Sequence, residues 1–174
     1  SFSSTFLKHM GCAISKPKNE IALIGLPMAG KKTFLKTIAT STISFFDHHS
    51  NGELVYGLQY RNLELVSFDI SATNPDLSKW RQFFISDCKS IIFVVESHRA
   101  SIESAKMIYD MIRSLTSLPI VIAANKQDLP DAMIAPEIGE YFSIREHNTT
   151  IQPSCTSTGD GVIEILEYIR KHIK

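Results

Sequence analysis

Apolar runs alternate with amphipathic stretches along the chain. Uninterrupted apolar runs at Ile21–Ile24, Ile91–Val95 and Ile120–Ala124 are typical of strands buried on both faces of a parallel sheet. Ile102–Leu115 instead repeats apolar residues at helical spacing. Weaker patterns predict further strands at 53–59, 63–69 and 150–152, and helices at 34–39, 80–85, 136–141 and 162–172. The expected fold is α/β, with a mostly parallel six-stranded sheet flanked by about five helices.

The segment Ser41–Gly52 is polar, and we predict an irregular loop there. It contains the adjacent histidines His48 and His49. Adjacent side chains point apart in most backbones, and no third ligand is in view, so solvated loop histidines are a better interpretation than a metal site.

Composition excludes several classes of protein. The chain has 174 residues, with 18 basic and 18 acidic side chains, and so lacks the basic excess expected of a nucleic-acid-binding protein. Its three cysteines (Cys12, Cys88 and Cys155) are too few and too scattered for a disulfide framework or a zinc site, which favours a reducing compartment. No apolar run is long enough to span a bilayer.

A phosphate-binding loop lies at Gly25–Thr33, with the sequence G-L-P-M-A-G-K-K-T. It follows a predicted strand, precedes a predicted helix and fits the pattern G-x-x-x-x-G-K-[ST] at all positions except the last, where Lys32 stands. Serine or threonine there normally supplies a hydroxyl ligand to Mg²⁺. We expect nucleotide phosphates to be bound by Gly25, Met28, Ala29, Gly30, Lys31, Lys32 and Thr33.

A register shifted by one residue would make Lys32 the loop lysine and Thr33 the magnesium ligand. That register puts Leu26 and Lys31 where the two glycines must be. Glycine is needed at both places for unusual dihedral angles and close phosphate approach, so we reject the shift.

The motif Asn125–Asp128, N-K-Q-D, follows a predicted buried strand. N-K-x-D is the guanine-reading motif of small GTPases, in which the aspartate accepts hydrogen bonds from two guanine N–H groups. From about Ile21 to its C-terminus the chain resembles the Arf and Arf-like branch of that family. The likeness is carried by Asn125–Met133, by Ile91–Val95, by Trp80-Arg81, and by Cys155 with Gly159-Asp160-Gly161. It implies the Ras-like fold of P-loop NTPases, bound GTP or GDP, and base contacts from Asn125, Lys126, Asp128, Cys155 and Thr156.

The resemblance weakens where the metal ion and the γ-phosphate should lie. Where Arf-like proteins carry W-D-x-G-G-Q, this chain reads Phe68–Thr73, F-D-I-S-A-T. Asp69 is kept as a candidate for holding Mg²⁺ through water. Ala72 replaces the glycine that meets the γ-phosphate, and Thr73 replaces the glutamine that orients the attacking water.

The first switch of the family should add a threonine that caps Mg²⁺, and Ser50 is a better positional match for it than Thr42. Two interpretations of Lys32 are open. Its ammonium either occupies part of the magnesium space and pairs with Asp69, or turns to solvent and leaves a weaker site. The sequence leaves open whether Mg²⁺ binds.

The N-terminus carries a lipidation pattern. Met10–Ser15 fits M-G-x-x-x-[ST], the N-myristoylation signal. We interpret residues 1–9 as an expression leader, 10–19 as an acylated segment with Gly11 myristoylated and Cys12 palmitoylated, and 20–174 as the GTPase domain. The expected location is the cytoplasmic face of a membrane, or the cytosol without acylation.

The leading functional hypothesis is a membrane-anchored Arf-like guanine-nucleotide-binding protein with weak or absent GTP hydrolysis. It would act as a monomer that binds protein effectors through Phe68, Trp80 and Phe83, although aromatic residues there also pack a sheet. Two alternatives stay open: a working GTPase switch completed by a partner's residues, and a nucleotide-independent scaffold. The sequence names neither effector nor exchange factor, and no nucleic-acid partner is expected.

Overall fold

The computed structural model describes residues 20–39, 46–50, 53–69, 88–145 and 147–172, with the backbone alone at 46–50, 53–56 and 68–69. Seven strands lie in this part of the chain: β1 (Glu20–Gly25), β2 (Phe46–Ser50), β3 (Glu53–Tyr60), β4 (Leu63–Asp69), β5 (Cys88–Glu96), β6 (Ile120–Asn125) and β7 (Thr149–Pro153). Its helices are α1 (Lys31–Ile38), α2 (Arg99–Leu115), α3 (Ala135–Phe142) and α4 (Val162–His172).

The strands form one sheet in the order β2-β3-β4-β1-β5-β6-β7. The pairs from β4 to β7 are parallel, whereas β2–β3 and β3–β4 are antiparallel. The carboxyl ends of β1, β4, β5, β6 and β7 therefore meet at one edge of the sheet, where ligands bind in open α/β folds.

Apolar side chains of the central strands cover both faces of the sheet. On β1, Ile21 and Leu23 lie in one core cluster with residues of α1 and α4. Ala22 and Ile24 lie in the other cluster, with residues of α2 and α3. This two-sided burial explains why the central strands read as continuous apolar runs rather than alternating ones.

The predicted fold class, an α/β fold with a mostly parallel sheet, is confirmed. The predicted loop over residues 41–52 is wrong for 46–50, which form the edge strand β2. Backbone pairing with β3, from Phe46 opposite Gly57 to Ser50 opposite Glu53, forms this strand despite its polar composition. The helix predicted at 80–85 lies outside the described residues. No helix in the described part of the chain has the length and apolar character needed to cross a membrane.

Candidate functional site

The glycine loop connects β1 to α1 at the carboxyl edge of the sheet. Gly25 ends β1, and a Cβ atom there would collide with the backbone oxygen of Val94 on the adjacent β5. Gly30 has a φ of 109°, and a Cβ atom there would collide with the side-chain amide of Asn125. Both glycines of the phosphate-loop pattern are therefore required by local geometry, in the register chosen from the sequence.

Lys31 begins α1 and is buried under the loop. Its Nζ donates hydrogen bonds to the backbone oxygens of Gly25 at 2.8 Å and Leu26 at 2.7 Å. The ammonium therefore closes the loop into a ring around a positive charge. Lys32 and Thr33, in the first turn of the helix, are exposed.

The middle of the loop has two unusual residues. Pro27 has no backbone N–H, so this position cannot donate to a phosphate oxygen. Met28 adopts a φ of 66° and leaves 84% of its surface exposed. The next residue, Ala29, donates its N–H to the backbone oxygen of Leu26 at 3.2 Å, which forms a tight turn.

The side chain of Asn125 joins three loops. It is completely buried at the end of β6. Its Nδ2 donates to the backbone oxygen of Ala29 at 2.8 Å and to Thr156 Oγ1 at 3.1 Å. Its Oδ1 accepts a hydrogen bond from the Thr156 backbone N–H at 3.0 Å. This amide therefore connects the glycine loop to the loops that follow β6 and β7. We call the cluster of Ala29, Asn125 and Thr156 the Asn125 junction.

Asp128 and Cys155 meet at the outer side of this junction. The Cys155 thiol donates to Asp128 Oδ1 at 3.2 Å and lies 3.0 Å from the hydroxyl of Ser157. Cys155 is buried, whereas Asp128 is exposed. The thiol thus fixes one oxygen of a solvent-facing carboxylate.

Lys126, the residue that follows Asn125, adopts a φ of 64°. Its Nζ is 2.7 Å from Oε1 of Glu96, the last residue of β5. The other Glu96 oxygen, Oε2, accepts a hydrogen bond from Ser101 of α2 at 3.1 Å. The hydrogen bond from Lys126 is the main cause that lowers the pKa of the Glu96 carboxyl; partial burial opposes it, and Ser101 acts with Lys126.

The sequence matches the ADP-ribosylation factor (Arf) family over residues 4–173. The chain belongs to the Arf family. It is accordingly a small GTP-binding protein with a P-loop.

In this Arf-family protein the structure brings most of the predicted site residues together. Hydrogen bonds link Asn125 directly to Ala29 and Thr156. Strand pairing places the backbone of Asp69 beside Gly25, next to the glycine loop. The backbone of Ser50 lies on the edge strand β2.

Several predictions fall elsewhere. Gly11, Cys12, Ala72, Thr73, Trp80 and Phe83 lie outside the described residues, and Phe68 is described by its backbone alone. Within the described ranges, no group of three or more His, Cys, Asp or Glu side chains is arranged to hold a metal ion.

Sequence reasoning overlooked three supporting side chains. Thr37 Oγ1 on α1 donates to the backbone oxygen of Thr156 at 3.0 Å. Gln127 Nε2 donates to Ser97 Oγ at 2.8 Å and so anchors the loop after β6. Glu96 is recognisable in the sequence as a carboxylate at the end of an apolar run, but no sequence pattern indicates Lys126 as its partner.

Replacing Asn125 with alanine should destabilise the Arf-family chain even without nucleotide. The Ala29 oxygen and the Thr156 N–H would lose their buried partner, and we expect unfolding to become easier by about 2–4 kcal/mol. Urea unfolding of the nucleotide-free protein measures this loss. Asn148→Ala is the control, because Asn148 makes an exposed hydrogen bond to the Ser117 oxygen. Equal stability of the two variants would contradict the joining role of Asn125.

Proposed function

We propose that this Arf-family protein binds guanine nucleotide, most favourably GDP, and hydrolyses GTP slowly or not at all. It acts by binding effectors from a membrane surface. The observation that carries the proposal is the contrast between two sides of one site. The base side, which consists of Asn125, Lys126, Asp128, Cys155 and Thr156, has a hydrogen-bonded framework around Asn125. The phosphate loop instead has Lys32 at the position where a hydroxyl ligand belongs.

The base side supports guanine recognition. The Asp128 carboxylate is exposed, so both of its oxygens can face a ligand, and the Cys155 thiol orients one of them. A carboxylate that accepts two hydrogen bonds matches the two neighbouring N–H donors of guanine. Adenine lacks this pair of donors, so the Asp128 carboxylate favours guanine through hydrogen bonding rather than through shape.

The glycine loop supports phosphate binding, but Lys32 alters the position that normally supplies a ligand to Mg²⁺. Backbone N–H groups at the start of α1 and the Lys31 ammonium favour phosphate oxygens. The Lys32 ammonium has no lone pair and cannot be a ligand of Mg²⁺. It can offset part of the phosphate charge, as one positive charge in place of two. GDP, with fewer charges than GTP, is the nucleotide that tolerates this exchange best.

The sequence beyond the glycine loop supports slow hydrolysis. Thr73 stands where a glutamine orients the attacking water, and its hydroxyl is too short to bridge water and γ-phosphate in the same way. Ala72 stands at the position of the glycine that meets the γ-phosphate. Two alternatives keep the same fold: a partner protein that completes the site and restores turnover, and a scaffold that binds no nucleotide.

A lipid anchor at Gly11 and Cys12 is part of the proposal. Gly11 follows Met10 in an M-G-x-x-x-[ST] pattern, and Cys12 supplies a thiol for a second acyl chain. One myristoyl chain gives only marginal membrane binding, whereas two chains give a stable anchor. Phe68, Trp80 and Phe83 are the proposed effector contacts.

Calorimetric titration with GDP and GTP, each with and without Mg²⁺, should separate the three functions when a GTP turnover assay follows. We expect binding of GDP that depends little on Mg²⁺, and no turnover above background. Turnover at the intrinsic rate of an ordinary small GTPase would contradict the proposal. Absence of binding by either nucleotide would favour the scaffold.

The variant Lys32→Thr belongs to the same titration. It restores the hydroxyl and should make GDP affinity depend more strongly on Mg²⁺. Lys36→Thr, at an exposed position later in α1, is the matched control. If Lys32→Thr leaves the affinities with and without Mg²⁺ unchanged, the proposed effect of Lys32 is wrong.

Expression of a chain that starts at Met10, in cells supplied with a myristate analogue, tests the anchor. We expect label on the wild-type chain and none on Gly11→Ala, because only an N-terminal glycine is myristoylated. Absence of label on the wild-type chain would rule out the myristoyl anchor.

A further inference from the structure

Glu96 belongs to neither the glycine loop nor the N-K-Q-D motif, yet it contacts a residue of the latter. We propose that Glu96 is a positioning residue that strengthens guanine-nucleotide binding by holding the Lys126 side chain across the base side of the site. The inference rests on the proposed function, since it concerns the affinity of that same site.

The geometry places Glu96 between two elements. It pairs in parallel register with Asn125, so its side chain starts beside the buried amide that joins the loops. One carboxylate oxygen lies 2.7 Å from Lys126 Nζ, and the other accepts a hydrogen bond from Ser101 at 3.1 Å. Because α2 holds the second oxygen, the carboxylate has a fixed orientation when it meets Lys126.

The pair is partly shielded from water. The side chains of Glu96 and Lys126 are 24% and 31% exposed. Glu96 is ionised at neutral pH, since the hydrogen bond from Lys126 lowers the pKa of its carboxyl. The charge of His98 also lowers the pKa of the Glu96 carboxyl. A charged and oriented acceptor of this kind restricts a lysine side chain more than a solvent-exposed acceptor does.

The consequence for ligand binding is preorganisation. A free lysine side chain samples many rotamers, and fixing it on binding costs entropy. With its ammonium held by Glu96 at the end of β5, the apolar stem of Lys126 is restrained before any nucleotide arrives. Snorkelling stems of this kind offer an apolar surface to a flat ring. The entropy of ordering is then spent in folding rather than in binding.

The distribution of charge in the site supports the same role for Glu96. Glu96 neutralises the Lys126 ammonium, so Lys126 contributes packing to the base side rather than a further positive charge. Lys31 and Lys32 then carry the positive charge for the phosphates. Lys126→Met, which keeps an apolar stem and removes the ammonium, therefore separates the packing role from the pairing role.

The test is the rate of dissociation of a fluorescent GDP analogue from the full chain, with thermal unfolding of each variant as a check on folding. We expect Glu96→Gln to release the analogue about threefold to tenfold faster, the range for loss of one partly buried ion pair. Glu167→Gln is the matched control. Glu167 has the same side-chain exposure of 24% and is paired with Arg61, on the turn between β3 and β4 and away from the ligand edge.

A double-mutant cycle shows whether Glu96 acts through Lys126. In a Lys126→Met background, Glu96→Gln should change the dissociation rate by less than about twofold, because the pair is already broken. A merely structural Glu96 would give the same fold-change in both backgrounds. Ser101→Ala is a milder second variant that should accelerate release in the same direction, and it keeps the test valid if Glu96→Gln does not fold.

Three results overturn the assignment. Unchanged or slower release from both Glu96→Gln and Ser101→Ala would mean that Glu96 is inert or competes with the nucleotide for Lys126. Equal effects of Glu96→Gln in the two backgrounds would mean that it does not act through Lys126. Failure of the wild-type chain to bind the analogue at all would overturn the proposed function, and the Glu96 assignment with it.

Discussion

The site of this Arf-family protein depends on one buried amide, that of Asn125. Its oxygen and nitrogen bond to groups from two loops that are far apart in sequence, and no water can reach it to substitute for a lost bond. The requirement extends to the residues around it. Gly30 must be glycine because any Cβ would strike this amide, and Thr37 holds the other side of the Thr156 backbone. Position and conformation of the phosphate loop and the base side are thereby fixed together.

The sequence changes that the proposal assigns to the metal and γ-phosphate end, at Lys32, Ala72 and Thr73, fall outside the N-K-Q-D motif and the loop after β7. The Asn125 amide takes its hydrogen-bond partners from Ala29 and Thr156, which are not among these positions. Such a division allows a chain to keep a nucleotide-binding framework while the metal end diverges. The proposal of guanine-nucleotide binding with little hydrolysis follows from this separation, and Glu96 extends the base side by one residue.

Structural features could be predicted from the sequence where they depend on the residues themselves and their immediate neighbours. The central strands and the requirement for Gly25 and Gly30 were predictable, because apolar runs and glycine spacing reflect burial and dihedral angles at those residues. β2 was not predicted, since its pairing with β3 outweighs the polar side chains of 46–50. The Asn-Gly pair at 51–52, which favours two-residue hairpin turns, was the available signal. The contact of Glu96 with Lys126 spans 30 residues and depends on strand order, which no local pattern contains.

The selectivity of the site for the nucleotide base is the decisive measurement. GDP, ADP and xanthosine diphosphate should be compared as competitors for the wild-type chain and for Asp128→Asn. We expect the wild-type chain to prefer GDP over ADP by at least about a hundredfold, because a site built to accept two N–H donors rejects a base that lacks them. We also expect Asp128→Asn to shift the preference toward xanthosine diphosphate, whose extra carbonyl can accept a hydrogen bond from the new amide. Equal affinity of the wild-type chain for GDP and ADP would contradict guanine recognition by Asp128.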